Sequence, residues 1–337
     1  MSRFLKEIEF DDFNKLSLHI YTVGYPTQGE SILTVLAEDD RALLVMVTDS
    51  FAQSKFVTID GKRKKRLVNR IETLLSEEWN GAPINFFIWS HPHRDHSVGI
   101  KELLEDCDQE QQAKILMPNL TKGPKYSEVA VTTLDYIWEQ YADAVVPCDF
   151  SSYNFPVPAK KIRLKRRLSS EFYDIDLYFL SPERNVQWTQ SMLDHPEEPN
   201  NFSLAYLLEV NGIRVFMGGD LSTKNLNEMP MEFLSGLHFV KIPHHGSDRL
   251  PHFCGKLFAN NSRNFIATTT QYRIGSSDLP VEKVLTEYKS SLGAQVYTSC
   301  QIPYIKSQDK HIGIIHTILH LSTGRSETVA FAPAMQF

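Results

Sequence analysis

Several features are scarce in this 337-residue chain. It has four cysteines, Cys107, Cys148, Cys254 and Cys300, widely separated and with no Cys-x-x-Cys pair. That spacing argues against a thiolate zinc site and against a disulfide framework, and it fits a reducing cytoplasm. No run approaches the ~18 consecutive apolar residues that a spanning helix needs, which predicts no membrane association. The opening stretch Met1 to Phe10 carries charge every few positions and lacks the apolar segment of an export signal. Neither an internal repeat nor a low-complexity linker is visible. With 35 basic against 41 acidic residues, a net charge of −6, the chain cannot be a uniformly cationic nucleic-acid coat. At 42 % apolar and 23 % charged it has an ordinary globular composition.

The apolar runs Leu16 to Val23, Ser31 to Ala37 and Ala42 to Thr48, separated by Gly24, Pro26, Gly29 and Asp39-Asp40, predict three successive strands. Leu67, Ile71, Leu74 and Leu75 recur at helical spacing, so the basic run Lys62 to Arg66 is expected to lead directly into a helix. Strands at Ile84 to Trp89 and Ile115 to Met117 alternate with helices over Ser97 to Cys107 and Tyr126 to Tyr141. Further strands are expected at Asp174 to Leu180, Ser203 to Val210, Ile213 to Met217, Leu237 to Ile242 and Ile312 to Leu321, with a helix marked by Val281, Val284, Leu285 and Tyr288. Asn211-Gly212 is a two-residue hairpin signal. Strands first, then strand-helix units, then the same order again suit an α/β (α+β) fold in which two sheets pack face to face with helices outside, a four-layer αββα sandwich. The whole chain, 1–337, is read as a single domain.

The densest chemistry lies in His91-Pro92-His93-Arg94-Asp95-His96, where a strand ends and a helix begins. Three imidazoles and a carboxylate within six residues, in a chain with twelve histidines, point to a metal rather than to packing. Imidazole nitrogen and carboxylate oxygen suit zinc, manganese or iron. His91 and His93 can converge on one ion, while Asp95-His96 points to a second. Two ions a few ångströms apart clamp the attacking and leaving oxygens of a displacement.

His-x-His-x-Asp-His after a strand resembles the signature of the metallo-β-lactamase fold superfamily. Other residues follow in the matching order: Asp49 after the strand Ala42 to Thr48, Asp220 in Met217-Gly218-Gly219-Asp220, and His244-His245 in Lys241-Ile242-Pro243-His244-His245-Gly246-Ser247. Gln28-Gly29-Glu30-Ser31-Ile32-Leu33 and Asn200-Asn201-Phe202-Ser203 narrow the likeness to the hydrolase domain of the competence (ComEC-type) proteins, thought to act as a nuclease. This chain resembles a free-standing relative without channel segments. The resemblance spans about residues 17–300. It implies a metallo-β-lactamase sandwich holding one or two divalent ions, zinc or manganese. His91 and His93 would hold one ion, Asp95, His96 and one of His244 and His245 the other, with Asp220 bridging and Asp49 orienting a ligand from behind. Asp95, His245 and Asn201 form the implied catalytic group.

Two departures stand out. The superfamily's third-motif histidine is replaced by Pro199-Asn200-Asn201, with His195 a few residues upstream, and the competence-type Tyr-Gly-His-Pro element by Tyr272-Arg273-Ile274-Gly275 and Leu279-Pro280. Asn200 and Asn201 suit either a turn or hydrogen bonds to a phosphate oxygen. Ser247 suits either substrate contact or a helix N-cap.

Two basic tracts hold eleven of the 35 cations without an intervening acid: Lys62, Arg63, Lys64, Lys65, Arg66, and Lys160, Lys161, Arg163, Lys165, Arg166, Arg167. Lys161, Arg163 and Lys165 fall on one face of a strand. They suit a phosphate backbone, or else a charged edge strand and a solvated helix start. The leading expectation is a metal-dependent phosphodiesterase, a nuclease for DNA or RNA in which water acidified by the ion attacks phosphorus. The alternatives are hydrolysis of a thioester, lactone or lactam, and a metal-binding module without catalysis.

Overall fold

Strand-forming residues dominate the opening third, and they pair locally. A computed structural model describes residues 4–59, 61–120, 126–148, 159–183, 199–230, 233–250, 255, 257, 264–275, 278–302 and 311–337. In it β2 (Leu16–Gly24), β3 (Glu30–Glu38) and β4 (Arg41–Thr48) form an antiparallel meander. The sheet then continues in parallel through β7 (Phe86–Ile88), β8 (Lys114–Met117) and β9 (Val145–Pro147). The crossovers contain α1 (Arg70–Glu78), α2 (Ile100–Cys107) and α3 (Glu128–Gln140). β17 (Gly313–His320) and β18 (Ser326–Phe331) complete eight strands in the order β18-β17-β2-β3-β4-β7-β8-β9.

The second sheet has nine strands. β1 (Phe4–Phe10) forms one edge, followed by β10 (Lys160–Arg166), β11 (Phe172–Ser181), β12 (Ala205–Val210) and β13 (Ile213–Met217). Parallel strands β14 (Phe239–Lys241), β15 (Ile266–Thr269) and β16 (Gln295–Thr298) follow, and β19 (Met335–Gln336) closes the order. α4 (Thr223–Glu228) and α5 (Glu282–Ser290) lie between its later strands in sequence. Asn211 and Gly212 both have positive φ, 47° and 77°, as a tight β12-β13 hairpin requires.

Apolar side chains separate by strand face. Leu16, Leu18 and Ile20 of β2 share a buried cluster with Ile162, Leu177 and Val215 of the nine-stranded sheet. Tyr21 and Val23 instead join Ile71, Leu103 and Leu134 of α1, α2 and α3. Leu207, Phe216 and Val240 pack with Leu226 of α4 and Leu285 of α5. Strands covered on both faces are apolar on both, which is why the early runs are continuous rather than alternating.

Lys62 to Arg66 do not lead directly into a helix. They belong to β6 (Lys62–Asn69), which pairs antiparallel with β5 (Ala52–Ile59) as a separate two-stranded hairpin turning at Gly61, φ 71°. The helix starts later, with Asn69 as N-cap. The charged opening stretch is also a strand: Ile8 and Phe10 face the inter-sheet core, while Glu7 pairs with Lys165 at 4.0 Å. Among the described residues, no helix is long and apolar enough to cross a membrane.

Candidate metal centre

The centre sits where β4, β7, β13 and β14 end. After β7, Ser90 and His91 run into a loop whose short 3-10 turn, Arg94–His96, buries Asp95 and His96. After β14, a second such turn, Pro243–Gly246, holds His244 and His245 in left-handed conformations, φ 50° and 52°. Such backbone is costly for residues with a Cβ and persists only where its surroundings enforce it. Between these turns comes Gly218-Gly219-Asp220. A Cβ on Gly219, φ 50°, would lie 2.6 Å from Ser203 Oγ and 2.8 Å from the Leu204 carbonyl oxygen, so the close approach that places Asp220 requires glycine.

Two donor groups result, sharing Asp220: His91, His93 and Asp220, and Asp95, His96, Asp220 and His245, each with ligand atoms within 4.8 Å of one another. His96 Nε2 lies 3.4 Å from Asp95 Oδ2 and 3.5 Å from Asp220 Oδ2. His245 Nε2 lies 3.1 and 3.7 Å from the same two oxygens. Asp95 Oδ1 also pairs with His93 Nδ1 at 2.8 Å.

Hydrogen bonds behind these groups fix the tautomers. Asp49 accepts from Ser90 N–H, Ser90 Oγ–H and His96 Nδ1–H, each at 2.7 Å. Because Ser90 gives its proton to Asp49, its oxygen accepts from His91 Nδ1–H at 2.9 Å. Thr270 Oγ1 likewise donates to Glu30 at 2.6 Å and accepts from His245 Nδ1–H at 2.8 Å. All three imidazoles therefore turn Nε2 towards the centre, as ligation by that nitrogen requires. Glu30 is balanced by Lys241 Nζ at 2.7 Å, an ion pair out of contact with solvent. Glu30, Asp49 and His96 also lie close enough to suggest a third donor group, but His96 Nδ1 and Asp49 Oδ2 are already joined by a hydrogen bond.

Electrostatics agree with a cation-seeking site. Burial pushes the His91 imidazole well below its usual pKa, aided by His96, so it stays neutral. Burial would also depress His96, but Asp95, Asp220 and Asp49 override it and hold the ring well above the usual value. Burial would raise Asp95 and Asp220, yet the neighbouring imidazoles keep both well below the ordinary carboxylate range. Burial depresses His244. His91 Nε2, His96 Nε2 and Asp220 Oδ1 are buried without a hydrogen-bond partner. Orphaned donor atoms of this chemistry, gathered beside carboxylates, fit a divalent ion.

Of the expected residues, His91, His93, Asp95, His96, Asp220 and His245 come together. His244 does not enter a donor group among the described residues; it lines the adjacent cleft of about 690 Å³. Asn200, Asn201 and Ser247 line that cleft too. Asn225 Nδ2 donates to the Asn201 carbonyl at 3.0 Å. Ser247 Oγ accepts from Arg249 N–H at 3.2 Å. His195 lies outside the described residues. Glu30 and Lys241 stand in the sequence only as parts of quoted motifs, without roles of their own, and Thr270 carries no signal.

The basic tracts lie elsewhere. Lys161, Arg163, Lys165 and Arg166 are on β10, inside the sheet next to edge strand β1, so β10 itself is not an edge. Lys62, Arg63 and Lys64 are on the β5-β6 hairpin.

No family model matches the chain, and no curated protein matches it. Among the solved structures that match, a Parabacteroides distasonis ATCC 8503 protein provisionally described as a metal-dependent hydrolase is similar at TM-score 0.41 and 10 % identity. The alignment covers 85 % of this chain and 96 % of that one.

Proposed function

We propose that this protein is a metal-dependent phosphodiesterase acting on nucleic acid, and that residues 1–337 form a single domain of the metallo-β-lactamase superfamily with its four-layer αββα sandwich. The observation that carries the proposal is the convergence of three buried imidazole Nε2 atoms, with tautomers set from behind, on Asp95 and Asp220. The order of the motifs and the two packed sheets support the superfamily assignment.

His91, His93 and Asp220 would hold one ion, and Asp95, His96, His245 and Asp220 a second, zinc or manganese by donor type. Bound there, the metal would acidify a water and draw charge from a phosphoryl oxygen. The chain's own part is to bind and orient. Asn200, Asn201 and Arg249 offer donors along the cleft for non-bridging oxygens. Asp49 and Glu30 keep the imidazoles aimed while the charge on the substrate changes. A phosphodiester is favoured over a thioester, lactone or lactam because these cleft donors and the basic β5-β6 hairpin suit an anionic substrate.

The test is metal analysis of purified protein, followed by incubation with manganese, magnesium or zinc and with linear, circular and single-stranded DNA and RNA. Stoichiometric metal and cleavage that disappears in Asp95→Ala and His96→Ala support the assignment. An inert protein carrying stoichiometric metal would overturn it.

A further inference from the structure

The two basic tracts, alike in sequence, differ in the fold. On β10, Lys161 lies 2.9 Å from Asp176 and 3.3 Å from Asp174, and Arg163 3.1 Å from Asp174. Lys165 meets Glu7 at 4.0 Å and Arg166 meets Glu171 at 3.0 Å. Acids of β1, of β11 and of the turn before it neutralise this tract.

The hairpin is different. Lys55, Lys62, Arg63, Lys64 and Lys65 are exposed, and none forms an ion pair among the described residues. Arg66, near the root, is paired to Glu72 and Asp106. Phe56 is 61 % exposed, with the Arg63 guanidinium 4.6 Å from its ring centroid. A large apolar ring in this setting gains nothing from burial. It offers a stacking face beside five exposed cations.

The root connects to the metal centre. Ala52 follows Asp49 by three residues, Ser50 N–H donates to the His96 carbonyl at 3.2 Å, and Asn69 Nδ2 donates to Ser50 Oγ at 2.7 Å. Tyr25 donates to Asn69 at 2.8 Å and accepts at its carbonyl from Gln271 at 2.9 Å, next to Tyr272 in the cleft wall. Strands of eight residues extend about 26 Å, enough to follow several phosphates.

We propose that the β5-β6 hairpin is the arm that holds the polynucleotide: Lys55, Lys62, Arg63, Lys64 and Lys65 take successive phosphates, and Phe56 with Arg63 stacks on an unpaired base. The neutralised β10 tract takes no part. The proposal deepens the phosphodiesterase assignment and rests on it for the cleavage step alone.

The test uses the full chain, treated with chelator so that nothing is cut, and a fluorescein-labelled 30-nucleotide single-stranded DNA. Affinity is measured by anisotropy across a salt series. Replacing Lys62, Arg63 and Lys64 together by alanine should weaken binding at least tenfold at 100 mM salt and reduce the slope of log K against log salt by about 2. Lys165→Ala with Arg166→Ala should leave the slope within about 0.5 of wild type. Phe56→Ala should weaken binding with the slope unchanged. Wild-type affinity and slope in the triple variant, or an equal loss in the β10 variant, overturns the proposal. So does arm-dependent binding to phosphatidylserine vesicles without binding to DNA. The wild-type protein, remetallated, should hydrolyse bis(p-nitrophenyl) phosphate. Arm-dependent DNA binding by a protein that hydrolyses no diester would overturn the enzymatic assignment and leave the arm's role standing.

Discussion

Asp49 is the residue on which the centre turns, although it faces away from the cleft. It accepts three hydrogen bonds and sets two imidazoles, His96 directly and His91 through Ser90. In Asp49→Asn one acceptor becomes a donor facing groups that already donate. Metal affinity, measured by competition with a chromogenic chelator, should fall about 10- to 100-fold while the protein remains folded. Lys241 plays the corresponding structural part opposite Glu30. Lys241→Met leaves a buried carboxylate without its cation, and urea unfolding should show a loss of about 3–5 kcal/mol. Adding Glu30→Gln to that variant should recover much of the loss. The six-residue segment His91 to His96 was legible because its donors are adjacent in sequence. Glu30 and Thr270 meet across 240 positions, and Glu30 and Lys241 stand in two separate motifs that nothing in the sequence pairs, so this network is recognised only in the fold.

Elements show the same division between local and distant causes. β2, β3, β4 and the β12-β13 hairpin are written in local pattern and turn chemistry, and they appear where that pattern places them. β1 pairs in parallel with β10, across more than 150 positions, and its alternation of Ile8 and Phe10 with Glu7 and Glu9 is too short to outweigh the charge around it. β6 was obscured because a run of lysine and arginine suits a helix as well as a strand; pairing with β5 decides. Loop segments depend most on packing. At Gly219 an added methyl group would collide with Ser203 and Leu204 in a backbone that already disfavours it. Gly219→Ala should lower stability by about 2–4 kcal/mol in urea. It should also lower metal stoichiometry, because the displaced residue next in the chain is Asp220.

For the molecule as a whole, a net charge of −6 conceals a segregated surface, with a cationic hairpin, five of whose cations have no ion-pair partner among the described residues, beside a carboxylate-rich centre. Acid stability has a separate origin. His19 Nδ1 and His316 Nε2 are 3.1 Å apart on neighbouring strands of the eight-stranded sheet, and burial pushes both pKa values down to about 4. The unfolded chain, with ordinary imidazoles, binds more protons between about pH 6.5 and pH 4, so this contribution is complete above pH 6.5 and is lost as pH falls towards 4. The loss should be roughly 2–3 kcal/mol per imidazole. His316→Phe, which keeps a ring against Tyr21, should flatten that limb when urea midpoints are followed from pH 7 to pH 4. The central claim concerns the metal, and the most direct measurement is the rate of bis(p-nitrophenyl) phosphate hydrolysis by chelated protein titrated with zinc or manganese. The account predicts no activity before addition, a rise that saturates at one or two equivalents, and no rise in His96→Ala. Hydrolysis equally fast in the chelated protein, or saturation with metal without any hydrolysis, would contradict it.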